Sequence, residues 1–136
     1  YNKRFKLIDE SYNANPLSVK NAINNFDSIK KVKFKKYLIL GDMLELGQKS
    51  KKYHIDLSRV INNSDIDKVF ITGKKTLFTY KNLHKSKQGN ILQNKDDIDF
   101  VLSKILNNND YLMIKGSNAT GLNLISKKMI KGLNAI

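Results

Sequence analysis

Tyr37-Leu38-Ile39-Leu40-Gly41 is the stretch that decides the fold. Four consecutive apolar residues stopped by a glycine read as a strand buried on both faces, because a strand with one wet face would alternate apolar and polar side chains. The sequence that follows changes period. Over about Lys49 to Asn62, Tyr53, Leu57, Val60 and Ile61 fall on one side of a helix. A doubly buried strand feeding an amphipathic helix is half of a βαβ crossover, the connection that parallel strands require.

Working outward, the same alternation fills the chain. Upstream, Phe5 to Ile8 is a short apolar run, and Pro16 to Ser28 carries Val19, Ala22, Ile23 and Phe26 at helical spacing. Asn15 before Pro16 predicts the helix start: a capping side chain, then a residue with no N–H to satisfy. Downstream, Val69-Phe70-Ile71 predicts a strand stopped by Thr72-Gly73, Lys75 to Leu83 a weaker helix, and Asn90 to Gln93 a short strand. Asn94 predicts a second cap, with Asp96 and Asp97 in a first turn whose dipole favours them. The helix behind it is expected to bury Ile98, Val101, Leu102, Ile105 and Leu106. Tyr111-Leu112-Met113-Ile114 predicts the next strand, and Leu122, Ile125, Met129 and Leu133 a last helix. The expected fold is α/β and doubly wound: a mostly parallel sheet of about five to six strands with helices on both faces.

A chain of 136 residues without internal repeats or low-complexity linkers is expected to be one domain, large enough to fold without staples. The absence of cysteine excludes disulfides, thiolate metal sites and thiol nucleophiles. No apolar run approaches the ~20 residues of a membrane span, and no signal pattern opens the chain, so a cytoplasmic protein without membrane contact is expected. The first residue is Tyr1, not Met, which fits a fragment or a processed product. Net charge is +13, nearly all of it from Lys. That surface could attract RNA or acidic partners, and a stand-alone basic α/β module is the alternative functional reading. The scarcity of Arg, the usual reader of guanine edges and phosphate pairs, weighs against nucleic acid. Lys30-Lys31-Val32-Lys33-Phe34-Lys35-Lys36, between a helix and a strand, is expected to be a solvated connector.

Ligands of doubly wound sheets bind at the carboxyl ends of the strands. Three polar clusters occupy predicted strand ends. Asp9-Glu10-Ser11-Tyr12-Asn13-Ala14-Asn15-Pro16 gathers carboxylates, a phenol and amides, more polar groups than a plain turn needs. Asn15 alone is better explained as a cap. Gly41-Asp42-Met43-Leu44-Glu45-Leu46-Gly47 places Asp42 and Glu45 at the crevice, with glycines that permit a tight turn. No further ligand follows at metal spacing, so no metal site is expected. His54, alone beside Tyr53, reads as a structural hydrogen-bonder rather than a base, and His84 as exposed. Lys115-Gly116-Ser117-Asn118-Ala119-Thr120-Gly121 offers a cation, a hydroxyl and free N–H groups to a carboxylate or phosphate, or equally a solvated lysine and a helix cap. Gly73-Lys74-Lys75-Thr76 is not a phosphate loop, because Lys75 and Lys68 stand where that pattern needs Ser or Thr and Gly.

Taken together, the three clusters resemble those of the C-terminal domain of the Mur ligases. Ile8-Asp9-Glu10-Ser11-Tyr12-Asn13-Ala14-Asn15-Pro16 matches the first signature, with Glu10 where the family usually has a second Asp. Leu40-Gly41-Asp42-Met43-Leu44-Glu45-Leu46-Gly47, with His54 at its offset, matches the second, and Lys115-Gly116-Ser117 the third. Asn118 and Asn123 stand where many members have Arg and Glu.

The resemblance implies a Rossmann-like third domain spanning residues 1–136 and closing over ATP. The first domain, for the UDP-sugar, and the central domain, with phosphate loop and Mg2+, would lie outside this chain. The motifs look most like those of members that add D-Ala-D-Ala to UDP-N-acetylmuramoyl-tripeptide during bacterial cell-wall synthesis, through an acyl phosphate. On that resemblance Asp9, Glu10, Ser11, Tyr12, Asn13 and Asn15 meet the nucleotide. Gly41, Asp42, Glu45, Gly47 and His54 form the adjoining crevice. Lys115, Gly116, Ser117 and Asn118 face the dipeptide. No catalytic residue is implied in this domain, which alone should be inactive for want of a phosphate loop.

Overall fold

The computed structural model describes residues 4–10 and 14–116. Five strands run through them: β1 Lys6–Glu10, β2 Lys36–Leu40, β3 Lys68–Ile71, β4 Gln88–Ile91 and β5 Tyr111–Lys115. Between them lie α1 Pro16–Ser28, α2 Ser50–Asn62, α3 Thr76–Lys81 and α4 Lys95–Phe100, the last continuing as a π-helical segment over Val101–Ile105. The predicted final helix lies outside the described residues.

Local chemistry explains most of the boundaries. Asn15 caps α1 through a reciprocal pair: its side chain accepts from the Ser18 amide at 2.9 Å, and the Ser18 hydroxyl accepts from the Asn15 amide at 3.1 Å. Pro16 then opens the helix at no hydrogen-bond cost. Asn94 and Asp97 build the same box at α4.

Sheet order is β1-β5-β2-β3-β4, and every pairing is parallel among the described residues. Three crossovers (β1 to β2, β2 to β3, β3 to β4) travel one way across the sheet; the fourth, β4 to β5, returns and inserts β5 between β1 and β2. Right-handed crossovers travelling in opposite directions must cover opposite faces. Two cores result. Val19, Ile23 and Phe26 of α1 and Leu57 and Ile61 of α2 pack on Leu38, Leu40, Val69, Ile71 and Met113. Val101, Leu102 and Leu106 pack on Tyr37, Ile39, Phe70, Leu112 and Ile114. Alternate residues of each central strand serve alternate cores, which is why these strands are apolar throughout. Full burial of each such side chain contributes about 1.5–3 kcal/mol.

Four expectations are corrected. Asp9 and Glu10 are the last residues of β1, not part of a turn, because β5 pairs with them at Ile114 and Lys115. The strand expected at Asn90–Gln93 lies two residues earlier. Ile98 and Ile105 are half-buried, not buried, beside a helix that widens from α to π. Lys36 is the largest departure: placed with the solvated connector, it is fully buried. It lies on the same face as Leu38 and Leu40, at the end of α1. There its ammonium meets Asp65 at 2.8 Å, the Asp27 carbonyl at 3.2 Å and the Ile29 carbonyl. The ammonium also lies 5.7 Å from the Phe26 ring centroid, so the buried charge is paired and faces an aromatic ring. Lys31, still on the surface, pairs with Asp67 at 2.7 Å.

Candidate functional site at three adjacent strand ends

Insertion of β5 between β1 and β2 brings the three clusters together. Lys115 pairs in register with Glu10 on one side and Leu40 on the other. The Gly41 amide donates to the Lys115 carbonyl at 2.9 Å, tying the second cluster to the third. The described residues of clusters far apart in the chain thus lie side by side at the carboxyl ends of β1, β5 and β2, the end of such a sheet at which ligands bind.

Lys115 is only 5% exposed. It follows Met113 on the face covered by α1 and α2, so the solvated-lysine reading fails. Gly116 beside it is buried and Asp9 half-buried. Ser11, Tyr12, Asn13, Ser117 and Asn118 lie outside the described residues. Asn15 is exposed at the head of α1, where its side-chain oxygen is engaged in the cap.

The loop after β2 is held from two directions. Asp42 reaches across to the loop after β3, where its carboxylate accepts from the amides of Lys74 at 3.2 Å, Lys75 at 3.0 Å and Thr76 at 2.8 Å. These amides open α3, and a carboxylate satisfies donors that the helix itself cannot. The Gly73–Thr76 turn, rejected as a phosphate loop, therefore has its anion supplied from within the protein. Nothing in the spacing of Asp42 and Gly73 along the chain announced this contact.

His54 holds the loop from the other direction. It is fully buried on α2. Its Nε2 accepts from the Met43 amide at 3.1 Å, and Nδ1 lies 2.7 Å from the Ser50 carbonyl. A carbonyl can only accept and an amide N–H can only donate, so the partners dictate a neutral ring with its proton on Nδ1. Burial lowers the His54 pKa, outweighing the Ser50 hydrogen bond and the Asp42 charge, which raise it; Lys75 adds to the lowering. His84 is exposed. Beyond the Met43 amide the chain passes through Glu45 at φ +62° and Gly47 at φ +62°. The left-handed region is ordinary for Gly47 but disfavoured for Glu45, whose side chain is exposed.

Among the described residues no three His, Asp or Glu side chains gather where they could hold a metal ion. No described helix is long and apolar enough to cross a membrane. A groove of about 630 Å³ between α1 and α2 is lined by Pro16, Leu17, Lys20, Tyr53 and Asp56 among others, and by none of the candidate residues.

The family model described as Mur ligase, glutamate ligase domain matches residues 2–118. The UDP-N-acetylmuramoyl-tripeptide–D-alanyl-D-alanine ligase of Bacillus subtilis is 33% identical over 129 residues, covering 92% of this chain and 28% of that protein. The enzyme of the same name from Buchnera aphidicola (subsp. Baizongia pistaciae) is 33% identical over 132 residues, covering 96% of this chain and 27% of its own length. The chain thus spans little more than a quarter of these relatives. Among solved structures, the MurF ligase of Thermotoga maritima in complex with ADP superimposes with a TM-score of 0.78 at 22% identity, over 99% of this chain and 30% of that one. That likeness establishes the Rossmann-like fold.

Proposed function

The chain belongs to the Mur ligase family, and from that premise we propose that it is the domain of an ATP-dependent amide ligase that closes over the nucleotide and the incoming D-Ala-D-Ala. The observation that carries this reading is the adjacency of the three clusters at the ends of β1, β5 and β2.

In this reading ATP converts the terminal carboxylate of the UDP-linked tripeptide to an acyl phosphate. The dipeptide amine then attacks the acyl carbon, forming the amide and releasing phosphate. This chain binds and orients. Asp9 and Glu10, with Ser11, Tyr12 and Asn13, supply acceptors and donors for ribose and phosphate. Asn15 sets the angle at which that segment enters α1. Lys115, with Gly116, Ser117 and Asn118, offers a partly desolvated cation and backbone N–H groups to the dipeptide carboxylate. Holding amine and acyl group together converts an encounter into a positioned reaction, and closure excludes water from the acyl phosphate. The described residues form no cluster that could hold magnesium, which in this reading belongs to the central domain.

The test is an NMR titration of the 15N-labelled chain with magnesium-ATP and, separately, with D-Ala-D-Ala. Shifts are expected at Asp9, Glu10, Gly41, Lys115 and Gly116, with no ATP turnover by the chain alone. A silent set of strand ends, together with polynucleotide binding at Lys30–Lys35 that survives physiological salt, would replace this reading with the basic-module one.

A further inference from the structure

We propose that His54 is the positioning residue of the crevice: its neutral imidazole clasps the β2 loop to α2 and so fixes where Asp42 and Glu45 stand beside β5. The importance of that placement for substrate rests on the ligase reading; the clasp itself does not.

The argument is geometric. Met43 is fully buried, and its amide donates to a side chain on another element, not to the β ladder. A buried amide left without an acceptor carries the full desolvation cost, so the loop path depends on Nε2 being there. The ring is fixed in turn. Nδ1 is bound to Ser50 one helical turn back, and the His54 carbonyl accepts from the Thr79 hydroxyl of α3 at 2.5 Å. α2, α3 and the β2 loop therefore meet at one residue, the loop through its ring and α3 through its backbone carbonyl. The left-handed Glu45 lies two residues beyond the clasped amide, and Asp42 one residue before it carries the tether to Lys74–Thr76. Strain of this kind persists only where neighbouring contacts over-determine it. A doubly protonated ring has no lone pair for Met43, so protonating His54 unfastens the loop. The charged groups acting on the ring are Asp42, from the loop, which favours protonation, and Lys75, from the head of α3, which opposes it.

The test uses the 15N-labelled chain from pH 8 to pH 5, in wild type, His54→Gln and His54→Leu. The wild-type ring should show one neutral tautomer at pH 8, protonated at Nδ1, and the amides of Met43–Leu46 should move with His54 as the pH falls. His54→Gln, whose amide oxygen can accept from Met43 and does not titrate, should keep the loop amides near their wild-type positions and lose that pH response. His54→Leu should speed exchange of the Met43 amide about tenfold and shift Lys74–Thr76 through Asp42. A ring protonated at Nε2, loop amides indifferent to His54→Leu, or an undiminished pH response in His54→Gln each overturns the proposal. Should His54→Leu fail to fold, the tautomer and His54→Gln decide. A loop that answers to His54 while the strand ends ignore ATP and dipeptide would leave the clasp standing and remove the ligase reading.

Discussion

The Asp42 carboxylate fills the space that a side chain on Gly73 would need. A Cβ built there would lie 2.6 Å from the carboxylate carbon and from one of its oxygens, and Gly73 has φ +98°. The glycine is thus required twice, by backbone conformation and by an acid that arrives from another strand end.

Gly73→Ala should destabilise the chain by about 2 kcal/mol or more, through left-handed strain and through displacement of a carboxylate that holds three amides. Urea midpoints measure it. Combined with Asp42→Ala, the second substitution should cost less than it does alone, since the steric part has gone. Simple additivity would refute the relationship.

Lys36→Ala should cost about 2–4 kcal/mol, because it opens a cavity beside Phe26 and strands the Asp27 and Ile29 carbonyls. Asp65→Asn should cost about 1 kcal/mol or less, since the Asp65 side chain is 38% exposed and water can replace its partner. Equal losses would mean that the ion pair, not the burial of Lys36, carries the energy.

Asn15→Ala should lose about 1 kcal/mol of stability and Asn15→Ser much less, since serine also caps. If Asn15→Ser keeps stability but loses the ATP-induced shifts at Asp9 and Gly41, Asn15 meets the nucleotide as well as the helix.

Acid should weaken the fold through His54. Its folded pKa lies below the ordinary 6.5, chiefly from burial. The unfolded chain therefore takes up the proton first as pH falls. The His54 contribution is intact above about pH 6.5 and is lost as pH falls from there toward the folded value. Urea midpoints should decline across that window in wild type and more gently in His54→Gln.

Lys115→Met keeps most of the buried stem and removes the charge. The variant should fold, lose its response to D-Ala-D-Ala and retain its response to ATP. A wild-type response to the dipeptide would take Lys115 out of the carboxylate site.

Local patterns carried much of the architecture. Asn15-Pro16 marked the start of α1 to the residue, because capping chemistry involves only neighbours in the chain. The unbroken apolar runs of β2 and β5 foretold a sheet covered on both faces. The candidate segments stood out as unusual polar density at strand ends. Individual roles were less legible. Asp42 looked like a crevice acid and is engaged by a neighbouring loop; Lys36 looked like surface charge and is buried.

What the sequence by itself determined, then, is the described strands and helices and their alternation, and it marked the candidate site segments, since these follow from periodicity and from contacts a few residues apart. Only the tertiary structure decided that β5 enters between β1 and β2, and with it the meeting of the three clusters. Only the tertiary structure decided that Asp42 answers the amides of Lys74–Thr76 and that His54 answers Met43. Strand order depends on the direction of the returning crossover, and a buried donor takes whichever acceptor packing brings within about 3 Å; neither is encoded in local spacing.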